Sequence, residues 1–503
     1  MASITKESVE FLHSFVGQLE KDQYIIFGTG EVAQIYAEQL SNKFGDDSIV
    51  CFVDSTAFLK ELLGKKVLKP SEIDTKTINQ YKFILGTLSK STTMKNTLVN
   101  IGVNTVNIIN AVNYFSVENL VNNKDEIRSI CYFPEITDSN ILNELIERLH
   151  KYIYLEDCKD VSIDFIYSQK ICETSKYKEF NYINAQSNYK QYDLILVWNS
   201  ANLKDHAIRQ NEKVICIDNR IIHLIDVKFL TALSMQLQKP DIKKYYDNIS
   251  RNNYINLLEK AKKKKKAVIL ANGPLIKNGV DQFIQPDDDN LKIVCNQIYR
   301  DNDLLKIINP DIYCIVDSST ITPAFKEIYD GVISYIKNND CMLVVLNTWI
   351  PYILHNNNEL ADKIIGLSIY AREINFPSKD NLSVMRSNNV ATAIMTPIAS
   401  SLCNQIDFIG CDGCEINEKG IEKKDWDHYG KMDKQSKLQK DNIQERNQCI
   451  FGKIDNIDEY YAMHVRYFQE IIEYGEKLGK KYRTLTPSYI PVLSERYIGY
   501  IKN

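Results

Sequence analysis

Nowhere in the 503 residues is there an uninterrupted apolar run long enough to span a bilayer, so any membrane association is expected to be peripheral. Charge of one sign is not in excess either. The chain carries 61 basic and 65 acidic residues, a net charge of -4, which removes the global electrostatic reason to expect nucleic acid as a partner. The N-terminus lacks the charged and apolar regions of a signal peptide. The 12 cysteines are scattered, several of them inside apolar strand-like runs, so the expected location is the cytoplasm, including the inner face of a membrane. The single Cys-x-x-Cys, Cys411-Asp-Gly-Cys414, has no second pair to complete a structural zinc site, and no metal is expected. There is no P-loop and no solenoid-type period.

What is present is ordinary globular material, 44% hydrophobic and 25% charged, at a length that calls for two to four domains. After a first amphipathic helix, Tyr24-Ile-Ile-Phe27 runs into Gly28-Thr-Gly-Glu-Val-Ala33 and a helical pattern, which reads as strand, glycine turn, helix. Strand patterns follow at Ile49 to Val53, ending in Asp54, and at Tyr81 to Leu85, ending in Gly86-Thr87. This alternation predicts a parallel βαβ sheet over about residues 1–120. A less regular region, 121–262, holds two more short strands, Tyr192 to Trp198 and Lys213 to Ile217, and a helical stretch from about 226 to 261. Lys262 to Lys266 suits phosphate or lipid headgroups in principle, but it leads straight into a buried strand and reads as a solvated helix end. From 263 to 503 strand signals recur at Ala267 to Leu270, Leu291 to Cys295, Ile312 to Val316, Met342 to Leu346, Ile406 to Ile409 and Tyr482 to Leu485. The expected class is α/β, multidomain, with Rossmann-like parallel sheets.

Candidate sites stand at the ends of these strands, where open α/β sheets bind ligands. Gly28 and Gly30 with Asp54 fit the dinucleotide pattern: a tight turn, a helix N-terminus for phosphate, and an acid for ribose. The same turn can equally serve packing alone. In the C-terminal part, Asn272-Gly273-Pro274, Asn296-Gln297 and Asp317-Ser318 end three successive strands. Asn side chains there can hydrogen-bond a nucleotide without adding negative charge. Arg386-Ser-Asn388-Asn389-Val-Ala-Thr392 opens a helix that can cap itself or cradle an anion, and Gly410-Cys-Asp412 follows the next strand. Asp287-Asp-Asp289 imitates a metal-binding Asp-x-Asp but precedes its strand, and reads as a turn. His464 among Tyr461, Tyr467, Phe468 and Ile471 reads, by itself, as a packed helix-face histidine.

The ordered set Asn272-Gly-Pro274, Cys295-Asn-Gln297, Asn388 to Thr392, Gly410-Cys-Asp412 and His464 resembles the family-42 bacterial sialyltransferases, together with the related motility accessory factors and hydroxymethylpterin pyrophosphokinase-like proteins, over about residues 265–490. The resemblance implies a GT-A-variant, sialyltransferase-like nucleotide-binding domain. It implies an enzyme that takes a CMP-activated nonulosonic acid as donor, needs no further cofactor, and passes the sugar to a hydroxyl of a surface glycan or protein. Asn272, Gly273, Pro274, Asn296, Gln297, Asn388, Asn389, Thr392, Gly410 and Asp412 would then hold the donor, with Asp317 and Ser318 beside it. His464 would be the general base, with His428 its rival, and Tyr429 would assist departure of the phosphate. Asp317 stands where the family has Asn. Such enzymes commonly form homo-oligomers. Two other readings stay open: a pyrophosphokinase using ATP and magnesium through Asp317 and Asp412, and an inactive nucleotide-binding scaffold. Phe27 to Ala33, Phe52-Val-Asp54 and Gly64 to Ile73 resemble the nucleotide-sugar-binding N-terminal domain of PglD-type acyltransferases, without their hexapeptide repeats.

Overall fold

The computed structural model describes residues 12–13, 15–55, 59–74, 78–87, 91–110, 127–167, 179–184, 191–199, 213–217, 225–285, 288–371, 373–385, 387, 389–414 and 457–499. It is an α/β protein that divides into two compact units, the chain passing from one to the other at Leu237/Gln238.

The first unit carries two sheets. One, in the order β3-β4-β2-β1-β5-β6, is built from β1 (Tyr24–Phe27), β2 (Ile49–Val53), β3 (Glu61–Leu62), β4 (Lys65–Leu68), β5 (Lys82–Leu85) and β6 (Ile108–Ile109). All its pairings are parallel except the short β3/β4 hairpin. The other is fully parallel in the order β11-β10-β7-β8-β9, from β7 (Ser129–Ile136), β8 (Ser162–Tyr167), β9 (Asn181–Asn184), β10 (Leu194–Val197) and β11 (Val214–Cys216). Ile26, Phe52 and Ile84 of the first sheet share one buried apolar cluster with Cys131, Ile166, Ile195 and Val197 of the second. The expected break near residue 120 therefore does not separate two compact units.

The second unit is a single eight-stranded sheet in the order β17-β16-β15-β14-β13-β12-β18-β19. Its strands are β12 (Lys266–Leu270), β13 (Asn290–Cys295), β14 (Ile312–Cys314), β15 (Met342–Leu346), β16 (Ile364–Ala371), β17 (Ser383–Met385), β18 (Gln405–Ile409) and β19 (Lys481–Thr484), all paired in parallel. Continuous buried runs such as Ala267 to Leu270 and Met342 to Leu346 suit strands covered on both faces. The expected boundary at 262/263 lies earlier because the helix Pro240–Ala261 belongs to this sheet. Asn253 donates to the carbonyls of Ala361 and Ile364 at 2.8 Å each, Tyr254 to Pro377, and Ser250 accepts from the Gly366 amide. Pro240 begins that helix, and the single helical stretch expected from 226 to 261 is accordingly two, Ile225–Leu237 and Pro240–Ala261.

The lysine run is used piecemeal. Lys262, Lys264, Lys265 and Lys266 pair with Glu259, Asp311, Asp289 and Asp407 respectively. Asp407, 0% exposed in the middle of β18, also takes two hydrogen bonds from Arg483 of neighbouring β19, at 2.8 and 2.7 Å. One buried carboxylate thus ties β12, β18 and β19 together. Asp407→Ala leaves Lys266 and Arg483, which keep partial access to water, so its expected loss in urea unfolding is that of hydrogen bonds to a charged group, about 1.5–3 kcal/mol. Lys265→Ala, whose pair with Asp289 is largely exposed, leaves the midpoint unchanged.

Candidate functional site

The chain lays down β12 through β17 in one direction, then returns to place β18 on the other side of β12. This reversal is a topological switch point, where adjacent loops diverge and leave a crevice at the carboxyl ends of the strands. The loops that leave β12 and β18 there are Asn272-Gly-Pro274 and Gly410-Cys-Asp412, so two of the sequence-selected motifs meet.

Their contact is through backbone. The Gly273 amide donates to the Gly410 carbonyl at 2.9 Å, and the Leu275 amide to Asp412 Oδ2 at 2.7 Å. A Cβ on Gly273 would stand 2.4 Å from the Gly410 oxygen and 2.6 Å from Asp412 Oδ2, so only glycine fits. Gly410 has φ +67° and would bring a Cβ within 2.4 Å of the Ala271 oxygen. From the far side the segment after β19 clamps the same loop. Thr486 Oγ1 accepts from the Gly410 amide, Ser488 donates to the Cys411 carbonyl, and the Tyr489 amide to that of Asp412. Thr486, Ser488 and Tyr489 are not among the residues the sequence pattern singles out. They stand just past the strand at Tyr482 to Leu485, and the strand-end rule that selects Asn272 and Asn296 selects them as well.

Around this junction Asn272 is buried, with its Oδ1 4.0 Å from Cys295 Sγ at the end of β13, and Pro274 is exposed. Asn296 adopts φ +51°, a left-handed conformation that Asn tolerates, and its carbonyl accepts from the Tyr313 hydroxyl. Gln297 Oε1 is buried without a hydrogen-bond partner. Past β14, Asp317 is exposed and Ser318 buried. The helix start behaves as a cap. Asn389 Oδ1 accepts from the Ala391 amide, and the hydroxyl of fully buried Thr392 lies 2.7 Å from that of Ser387 and donates to the Asn389 carbonyl. Thr392 is therefore packed in the interior, committed to its own turn, rather than offered to a ligand. Asn388, His428 and Tyr429 lie outside the described residues.

His464 lies on the helix Ile457–Lys477, buried (4% exposed), with the Phe468 ring edge-on at 4.9 Å and Tyr461 at 6.2 Å. One turn before it, the Tyr461 hydroxyl accepts from the Cys414 amide and donates to the Cys414 carbonyl, each at 3.1 Å. This ties the histidine's helix to the end of the Gly410–Cys414 loop. Burial pushes the His464 imidazole down to about 4, which leaves it neutral at ordinary pH. Burial also pushes Asp412 up to about 6, against the opposing hydrogen bonds from the Leu275 amide and the Thr486 side chain. Asp288 of the acidic triplet accepts from the Asn290 amide and pairs with Lys292, as a turn residue does. Among the described residues no group of three or more His, Cys, Asp or Glu side chains could hold a metal ion, and no helix is long and apolar enough to cross a membrane.

The first unit has its own switch point, between β1 and β5. Gly28, at φ +120°, donates to the Val53 carbonyl, and Gly86 donates to that of Phe27 at 2.7 Å. A Cβ on Gly86 would meet Ala33 Cβ at 2.6 Å, so this glycine lets the helix Glu31–Phe44 seat on the sheet. Gly30 caps that helix, and Asp54 Oδ2 accepts from Thr29 Oγ1 at 2.9 Å, which joins the glycine turn to the acid. Residues 20–109, the span of this sheet, match a family model described as C2185-like, N-terminal. No curated protein and no solved structure matches the chain.

Two consequences are measurable. Gly273→Ala is expected to unfold the second unit at lower temperature, by the backbone clash with Gly410 and Asp412. A histidine held at about 4 when folded, against 6.5 when unfolded, refuses a proton that the unfolded chain accepts. Its contribution is complete above pH 6.5 and is lost, by up to about 3 kcal/mol, as pH falls to 4. Asp412, raised when folded, works in the opposite sense, its contribution being complete below 3.8 and lost as pH rises through 6. His464→Gln is expected to lose less stability than the parent between pH 7 and pH 4.5. Parallel losses in the two proteins would show that the buried imidazole is not the acid-sensitive group.

Proposed function

We propose that the second unit is a nucleotide-handling transferase domain that moves a sialic-acid-like nonulosonic acid from its CMP form to a hydroxyl of a glycan or protein acceptor, with His464 as general base. The observation that carries the reading is the meeting of Asn272-Gly-Pro274 and Gly410-Cys-Asp412 at the β12/β18 switch point, with the His464 helix tied to the same loop through Tyr461. Ligands of open parallel sheets bind at such points. Two of the motifs that carry the resemblance to the family-42 sialyltransferases, Asn272-Gly-Pro274 and Gly410-Cys-Asp412, are the loops in contact there.

A neutral imidazole is the form that can accept a proton from an attacking hydroxyl, and burial keeps His464 in that form. Asn272 and Asn296 would contact the donor through neutral hydrogen-bonding groups. The magnesium-dependent pyrophosphokinase reading draws little support from Asp412, whose carboxyl group is buried and already engaged by the Leu275 amide. The first unit, with its glycine turn beside Asp54, is read as a second nucleotide or nucleotide-sugar site serving the same pathway.

The full chain incubated with CMP-sialic acid is expected to release CMP. His464→Ala is expected to lower that rate by about 10²–10⁴, the usual worth of a positioned general base, with unchanged CMP affinity. Binding of ATP without binding of CMP or CTP would sink the proposal.

A further inference from the structure

The second sheet of the first unit has a switch point of its own. The chain lays down β7, β8 and β9 in one direction, then returns to place β10 and β11 on the other side of β7. The crevice of an open parallel sheet therefore falls at the carboxyl ends of β7 and β10. The family match stops short of it, at residue 109.

Trp198 and Asn199 follow β10 at that end. The Trp198 backbone amide donates to the Phe133 carbonyl at 3.0 Å and the indole Nε1 to that of Pro134 at 2.8 Å, which lays the ring against the end of β7. Ile195 and Val197 belong to the apolar cluster shared with the first sheet, so alternation along the strand puts Leu196 and Trp198 on the opposite face. Leu196 is paired there with Tyr132, which opens an aromatic series across the sheet. Tyr132 stacks on Phe165 at 4.5 Å and Phe165 on Tyr182 at 6.3 Å, and Tyr167, the last residue of β8, meets Tyr182 edge-on at 5.7 Å. Tyr132 and Phe165 are buried, whereas Tyr182, Tyr167 and Trp198 are half-buried.

Two polar features narrow what this aromatic edge can hold. Asn199 Oδ1 is buried without a hydrogen-bond partner, and an amide oxygen is satisfied only by a donor. The helix Ser139–Tyr152, which follows β7, is capped by Asp138, whose Oδ1 accepts from the Asn140 amide at 2.8 Å. A carboxylate thus stands where a helix N-terminus would otherwise receive a phosphate. Aromatic surface, an acceptor in need of a hydroxyl and a negative cap together suit an uncharged pyranose. Its hydroxyls donate, and its polarised C–H face is attracted to the electron-rich face of an aromatic ring.

We propose that the β7/β10 edge of the first unit binds a neutral saccharide, stacked against Trp198 and Tyr167 and donating a hydroxyl hydrogen to Asn199 Oδ1. The site stands on this sheet alone. Its occupant is the acceptor glycan, an assignment that rests on the transferase reading of the preceding subsection.

The full chain labelled with 5-fluorotryptophan tests it, because it has three tryptophans and the Trp198 resonance is identified by its loss in Trp198→Phe. Glucose, galactose, N-acetylglucosamine and lactose are titrated to tens of millimolar, against CMP and inorganic phosphate. At least one saccharide is expected to shift the Trp198 resonance with a millimolar Kd, while CMP and phosphate leave it in place. Asn199→Leu is expected to weaken that binding about tenfold, the worth of one hydrogen bond, and Tyr167→Leu about three- to tenfold. Thermal melts that match the parent's show both variants to be folded. With the best-binding saccharide as acceptor, Asn199→Leu is expected to raise the concentration needed for half-maximal CMP release about tenfold. The site is overturned if none of the four saccharides moves the Trp198 resonance, if CMP or phosphate moves it as much, or if folded Asn199→Leu binds as the parent does. Saccharide binding with no CMP release by the parent chain upholds the site and overturns the transferase reading. An unchanged half-maximal concentration in Asn199→Leu overturns the assignment to the acceptor alone.

Discussion

The close approach of two backbone turns, Gly273 against Gly410, is the constraint on which the second unit's site depends. β12 and β18 are neighbours in the sheet but are separated by more than 130 residues in sequence, and their loops leave in different directions because the chain reverses between them. The amide-to-carbonyl bond at 2.9 Å closes that junction, and it forms only because neither residue carries a side chain. Everything placed around it, from the Asp412 carboxyl to the Thr486 and Ser488 clamp and the Tyr461 tether, takes its position from these two turns.

Two ionisable groups near this junction are held away from their ordinary behaviour by the same cause, burial, with opposite results. His464 is kept neutral because a buried imidazolium is poorly solvated, and Asp412 takes up its proton at a higher pH than usual because a buried carboxylate is too. Such groups lower stability in one pH range and raise it in another, and sites that do chemistry are where proteins retain them. The Asp407 group in the same sheet shows the contrasting solution. There the buried carboxylate is met by hydrogen bonds from Arg483 and Lys266, which hold three strands together.

The strands of both switch points were legible because buried parallel strands are short, nearly continuous apolar runs with polar ends. Tyr24–Phe27, Ile49–Val53 and Met342–Leu346 lie where their patterns place them. The middle region was less legible: β8 and β9 carry polar residues such as Asp164 and Asn181, and Pro134 interrupts β7, so period and composition conflict there. The edge strand β17 and its neighbour β16 went unmarked for a related reason, Gly366 and the serines diluting the apolar signal. Thr392 illustrates the limit on the site. A threonine at a helix start can face a ligand or its own turn, and only the packing around Ser387 and Asn389 decides between them.

By itself, the sequence determined the class of the protein, its parallel sheets, and the strand ends at which polar residues collect, because hydrophobic periodicity and glycine placement are local properties. Tertiary structure alone decided that the β12 and β18 turns meet, that the Leu275 amide is taken by Asp412, that the helix Pro240–Ala261 belongs to the second unit, and that His464 is buried. These are contacts between residues far apart in the chain. Their strength depends on burial and on the geometry of approach, which no local pattern encodes.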